Sequence, residues 1–121
     1  MTDFRFARVY DEPGSDDGAR VLADRLWPRG ITKADADLTL WIKAIAPSDE
    51  LRRWLHGGGD YAEFERRYLS ELDRNDEFPD TADAVLEYPV VTLLTATKDP
   101  ARTHLPVLAR ALQARAAKAT G

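Results

Sequence analysis

The chain has 121 residues, 44% hydrophobic and 31% charged: one ordinary folded domain, too short for two cores and too apolar for global disorder. Its 17 Lys+Arg against 21 Asp+Glu leave a formal charge of −4, which argues against general electrostatic attachment to nucleic acid. Cysteine is absent, which excludes disulfides, a thiolate nucleophile and a cysteine-type zinc site.

No apolar run approaches the roughly 20 residues of a membrane-spanning helix, and no signal-peptide pattern opens the sequence. A cytoplasmic protein without membrane contact is therefore expected.

Residues 4–10 alternate, with Phe4, Phe6 and Arg8 against Arg5, Ala7 and Val9, the pattern of a first strand near a sheet edge. A turn-rich loop follows through Pro13-Gly14-Ser15 and Asp16-Asp17-Gly18. Residues 20–26 read as a buried strand, Val21 and Ala23 on one face and Leu22 and Leu26 on the other. Its exit is a loop, because Pro28 has no N–H for a sheet ladder and Gly30 permits a sharp turn. Thr32 is placed to cap a short helical turn. Residues 38–45 alternate again and read as a third strand, with a short helix as the alternative.

Ser48, followed by Asp49 and Glu50, marks a helix start that suits the helix dipole, and Gly57-Gly58-Gly59 marks its stop. Asp60 then caps a longer helix with Tyr61, Phe64, Tyr68 and Leu72 on one apolar stripe. On a neighbouring face Glu63–Arg67 and Arg67–Glu71 have i,i+4 spacing. A further helix is expected over residues 81–87. Residues 90–94, Val-Val-Thr-Leu-Leu, form a continuous β-type run suited to a central strand buried on both faces. After its exit loop, Thr103 is placed to cap a last helix that tolerates Pro106 in its first turn. Leu105, Leu108, Leu112 and Ala116 are its inward stripe, and Arg110, Arg115 and Lys118 face water.

Strands with intervening helices predict an α/β domain, with a small, mostly parallel sheet covered by helices in three layers. Ligands of such sheets sit beyond the carboxyl ends of the strands. If the second and last strands are parallel, the 24–30 and 95–99 loops open at the same end. They would gather Asp24, Arg25, Trp27, Arg29, Lys98 and Asp99, with His104 beside them at a helix start. Three cations there suit a phosphate or carboxylate, which arginine grips bidentately, and a histidine at that spot can act as general acid or base. The same charges would equally serve as ion pairs closing the sheet end. Arg52 and Arg67 are placed to turn toward this corner. Trp41 and Trp54 read as core, while Trp27 divides between core and pocket wall.

His56-Gly57-Gly58-Gly59 has the composition of an esterase oxyanion loop, but it follows a helix and no Gly-x-Ser-x-Gly elbow accompanies it. Nor is it a phosphate loop, since no Gly-Lys-Ser/Thr follows. His56, Asp60 and His104 lack metal-ligand spacing, so neither a metal nor another cofactor is expected.

The block Asp17-Gly18-x-Arg20-Val21-Leu22-x-Asp24-Arg25-Leu26-Trp27-Pro28-Arg29-Gly30 resembles the signature of the YeaO-like family of bacterial and archaeal proteins, part of domain of unknown function 488. The likeness continues through Trp41-x-Lys43, Ala46-Pro47-Ser48, Leu51-Arg52-x-Trp54, Phe64-x-x-Arg67-Tyr68-x-x-Glu71-Leu72 and Thr92-Leu93-Leu94-x-x-x-Lys98-Asp99. It covers nearly the whole chain and implies one small cytosolic α/β domain over residues 1–121, without an established activity. The family pattern implies that Asp24, Arg25, Trp27, Pro28, Arg29, Lys98 and Asp99 share a site. Many relatives carry Asn-His-Ala where this chain has Thr103-His104-Leu105, so the histidine is kept. Longer relatives resemble a Cys-His-Arg pattern there, and their thiol chemistry does not carry over to a chain without cysteine.

The resulting expectation is a phosphate-bearing ligand, such as a nucleotide, held by Arg25, Arg29, Lys98 and Asp99 against Trp27. Asp24 orients Arg25 and His104 moves a proton, which would make hydrolysis or group transfer the catalytic version. The alternatives are a nucleic-acid accessory protein, in which Trp27 stacks on a base, and a non-catalytic protein-interaction module. Oligomeric state is left open by the sequence.

Overall fold

A computed structural model describes residues 2–120, with side chains through residue 118. Strand β1 (Asp3–Arg8) is an edge, β4 (Val90–Thr95) and β2 (Ala19–Leu22) are central, and the two-residue β3 (Leu40–Trp41) closes the other edge. All neighbouring strands run parallel, with Val21 beside Leu93 and Leu22 beside Leu94. The α/β expectation is therefore met.

The alternation in β2 divides its side chains between two cores. Val21 and Ala23 join Val91, Leu93 and the helices on one face, while Leu22 joins Val9, Leu94 and Ala36 on the other. Leu26, expected beside Leu22, is 65% exposed, because β2 ends at Leu22 and period-two geometry ends with it. The covering layers are unequal. Helices α2 (Asp49–His56), α3 (Tyr61–Asp73), α4 (Phe78–Leu86) and α5 (Leu105–Thr120) supply the larger core. The smaller core is closed by the single-turn helix α1 (Lys33–Ala36) and by Trp27, Ile31 and Leu38.

Local signals place the helices. Ser48 and Asp60 accept from the Leu51 and Glu63 N–H groups and start α2 and α3. The Ser48 hydroxyl and N–H in turn donate to Glu71, tying the two helices together; Glu71 is thus held by Ser48 rather than paired with Arg67. Phe64, Tyr68 and Leu72 are buried as the stripe requires. Residues 38–45 combine both readings of the sequence, β3 giving way to a 3-10 turn over Lys43–Ile45.

Two motif residues prove to be fasteners of this frame. Arg20, only 4% exposed, donates from Nε and an Nη to the Ala36 carbonyl and from its other Nη to Asp17 at 2.7 Å. It clamps α1 onto β2. The Gly14 N–H, followed by the Arg20 guanidinium, outweighs burial and holds the Asp17 carboxyl below its ordinary pKa. Gly18 adopts φ +64° and passes so close to Val90 that a Cβ would fall 2.3 Å from its carbonyl oxygen, which makes glycine obligatory there.

Candidate functional site

Since β2 and β4 are parallel neighbours, their exit loops do open at one end of the sheet. The junction is Asp24. Its Oδ1 accepts from the Thr95 hydroxyl and its Oδ2 from the Ala96 N–H, both at 2.8 Å, and Oδ1 lies 3.4 Å from His104 Nε2. Burial opposes ionisation of this carboxyl. The hydrogen bonds from His104, Ala96 and Thr95 outweigh it and hold the pKa below 3.8. His104 Nε2 also lies 2.7 Å from the Ala23 carbonyl oxygen, and its ring meets that of Tyr68 at a 74° interplanar angle. One carboxylate thus joins the ends of two strands to the start of α5.

Above this junction lies a cavity of about 760 Å³. Its walls come from the β2 exit loop (Asp24 to Arg29), the β4 exit (Ala96, Thr97), the end of α2 and start of α3, and Arg102 to His104. Four arginines line it: Arg25, Arg29, Arg52 and Arg102. Among the described residues Asp24 is the only carboxylate on the lining, and its oxygens are already engaged. Arg25 donates to the Ala46 and Pro47 carbonyls at 2.8 and 3.2 Å, which orients its guanidinium without neutralising it. Arg52 has a carboxylate oxygen of Asp49 3.7 Å away. Among the described residues, Arg29 and Arg102 make no side-chain hydrogen bond or ion pair, and both are exposed. Apolar surface from Leu26, Trp27, Pro28, Leu55, Tyr61 and Phe64 completes the walls.

The structure brings Asp24, Arg25, Trp27, Arg29 and His104 together around this cavity. Lys98 and Asp99 stand outside its lining and are exposed; Asp99 accepts from the Ala101 N–H and caps a 3-10 turn over Pro100–Arg102. Asp24 engages His104 and the β4 exit rather than Arg25. Trp27 divides as its position suggested: it lines the cavity, donates to the Ile31 carbonyl and meets Trp41 edge-on at 5.4 Å. Trp41, read as core, is 37% exposed and donates to the Asp24 carbonyl. Arg52 turns inward, whereas Arg67 lies over the Trp54 ring and pairs with Glu63.

Arg102, His56 and Tyr61 were not among the site residues drawn from the sequence. Arg102 stands two residues before His104, and that adjacency was its only trace. In the sequence His56 belongs to a helix stop. Tyr61 belongs to the apolar helix stripe and packs there, while its hydroxyl donates to the Thr103 carbonyl at 2.6 Å.

Among the described residues no group of three or more His, Asp or Glu side chains could hold a metal ion, and no helix is long and apolar enough to cross a membrane.

Comparison with known proteins agrees with the motif. The chain is 44% identical over 115 residues to an uncharacterized protein of Mycobacterium tuberculosis, an alignment spanning 94% of this chain and 97% of the relative. It is 47% identical over 104 residues to the uncharacterized protein YeaO of Escherichia coli, spanning 84% of this chain and 90% of YeaO. No solved structure matches at a significant level. Residues 3–121 match the family model described as "Inactive DUF488-N3 subclade", and the chain belongs to that branch of the DUF488 proteins.

Proposed function

We propose that the cavity binds a phosphate-bearing small molecule of nucleotide size, and that the protein works as a cytoplasmic binding domain. The observation that carries this reading is the charge of the lining: four arginines face one carboxylate whose oxygens are already occupied, on a chain with net charge −4. Gathering like charges costs energy in the empty state, and a bound anion removes that cost. The volume lies within the ~300–1,000 Å³ usual for small-molecule sites, far more than a lone phosphate needs.

The word "inactive" in the description of the subclade favours occupancy over turnover, and so disfavours the hydrolase or transferase version. Stacking on nucleic acid is disfavoured by the engagement of Trp27 with Ile31 and Trp41.

A thermal-shift series on wild type, Arg29→Ala and Arg102→Ala tests the reading. The panel holds phosphate, sulfate, AMP, ribose 5-phosphate, acetate and a short oligonucleotide. A ligand at 100 times its Kd adds about 2.7 kcal/mol to the native state. The expected result is that a phosphate ester raises the wild-type Tm and that both variants lose this response. A wild type unmoved by every anion overturns the proposal, and stabilisation that grows with oligonucleotide length and collapses with salt would replace it.

A further inference from the structure

His104 offers the pocket more than a place on its wall. It is 93% buried, being 7% exposed, and its polar contacts within the protein, to Ala23 and Asp24, both fall on Nε2. Nε2 lies 2.7 Å from the Ala23 carbonyl oxygen, which can only accept, so Nε2 carries a proton. Asp24 Oδ1 approaches the same nitrogen, and Tyr68 meets the ring at 74°. Rotating the imidazole by half a turn would forfeit the contacts to Ala23 and Asp24 together.

In the neutral ring the lone pair is therefore on Nδ1. Among the described residues no hydrogen bond reaches Nδ1, and it is not sealed in the protein: the one sealed side-chain polar atom without a partner is Asp49 Oδ1. His104 lines the cavity, which is the open volume beside its ring. The arginines present donors only. The site thus combines donors for an anion with one pre-oriented acceptor set into the buried end of its wall.

We infer that the ligand carries a hydroxyl or amino donor that bonds to His104 Nδ1, in the manner of a sugar phosphate or nucleotide and unlike an acceptor-only oxyanion such as sulfate. This inference rests on the anion-binding reading and specifies what accompanies the anion. His104 is a ligand-recognition residue in this arrangement rather than a proton carrier.

The test uses calorimetric titration of ribose 5-phosphate, AMP and sulfate into wild type, His104→Gln and His104→Asn. Glutamine can keep a donor for the Ala23 carbonyl and loses the acceptor at Nδ1; asparagine can keep the acceptor and loses that donor. His104→Gln is expected to weaken ribose 5-phosphate and AMP about tenfold, the size of one net hydrogen bond, and to leave sulfate unchanged. His104→Asn is expected to retain affinity while melting lower than His104→Gln. Nitrogen-15 spectra should show the Nε2–H tautomer in free protein, with the Nδ1 resonance moving on addition of ribose 5-phosphate and not of sulfate. Equal affinities for the phosphate esters in wild type and His104→Gln, with Nδ1 unmoved, overturn the inference and leave anion binding standing. If none of the three ligands binds wild type, the anion reading and this inference fall together.

Discussion

Removing the Asp24 carboxylate should loosen the end of the sheet on which the cavity rests. Asp24→Ala removes two 2.8 Å hydrogen bonds to a charged acceptor and strands the Ala96 N–H at a partly buried position. Bonds to charged groups contribute about 1.5–3 kcal/mol each, and the desolvation that the carboxylate no longer suffers offsets part of that. The expected net loss is about 3 kcal/mol, or about 10–15 °C in Tm for a domain of this size. Chemical denaturation of wild type, Asp24→Ala, Thr95→Val and the double variant measures it, and a coupling near 1 kcal/mol between the two positions is expected from their direct contact. Asp24→Asn should lose less than the alanine, because its amide oxygen can accept from the Ala96 N–H while its NH2 donates to the Thr95 hydroxyl oxygen, so that mainly the charge of the acceptor is lost. The pH dependence follows from the depressed native pKa. The carboxylate's contribution is complete above the ordinary value of 3.8 and is lost as pH falls through the lower native value, so the gap between wild type and Asp24→Asn should close only in that acid window. An Asp24→Ala loss below 1 kcal/mol, or strict additivity with Thr95→Val, would refute the reasoning.

Arg20→Met should cost about 3 kcal/mol, because the Ala36 carbonyl loses its guanidinium donors and the Asp17 carboxylate loses its cation; urea denaturation measures this. Tyr68→Phe removes the hydroxyl that donates to the buried Ile45 carbonyl at 2.7 Å, an expected loss of about 1–2 kcal/mol in the same assay, with ligand binding unchanged. In Gly59→Ala the new Cβ would stand 2.6 Å from the Trp54 ring, so a loss of about 1–3 kcal/mol should come with a changed tryptophan emission.

The helices were legible because their causes are local. Ser48 and Asp60 cap within three residues of themselves, and the Phe64–Tyr68–Leu72 stripe follows from helical period alone. The strong β run of residues 90–94 likewise announced the central strand, and the parallel sheet expected from alternating strands and helices brings together two loops whose residues Asp24 and Thr95 lie 71 positions apart. Leu26 shows the limit, since alternation predicts a face only while the strand lasts.

The sequence by itself determined the fold class, the family and the end of the sheet at which the 24–30 and 95–99 loops meet. Tertiary structure alone decided which charges meet there. Lys98 and Arg102 lie four residues apart, and the sequence points to Lys98 alone, but the 3-10 turn capped by Asp99 sets Arg102 on the cavity and leaves Lys98 outside it. Arg20 and Arg25 differ in the same way, one buried as a clamp on Ala36 and the other exposed at the cavity wall. The reason is that an arginine reaches several ångströms in any direction, so its role depends on which carbonyl or carboxylate the folded backbone places within that reach, a relation between distant segments that spacing along the chain does not encode.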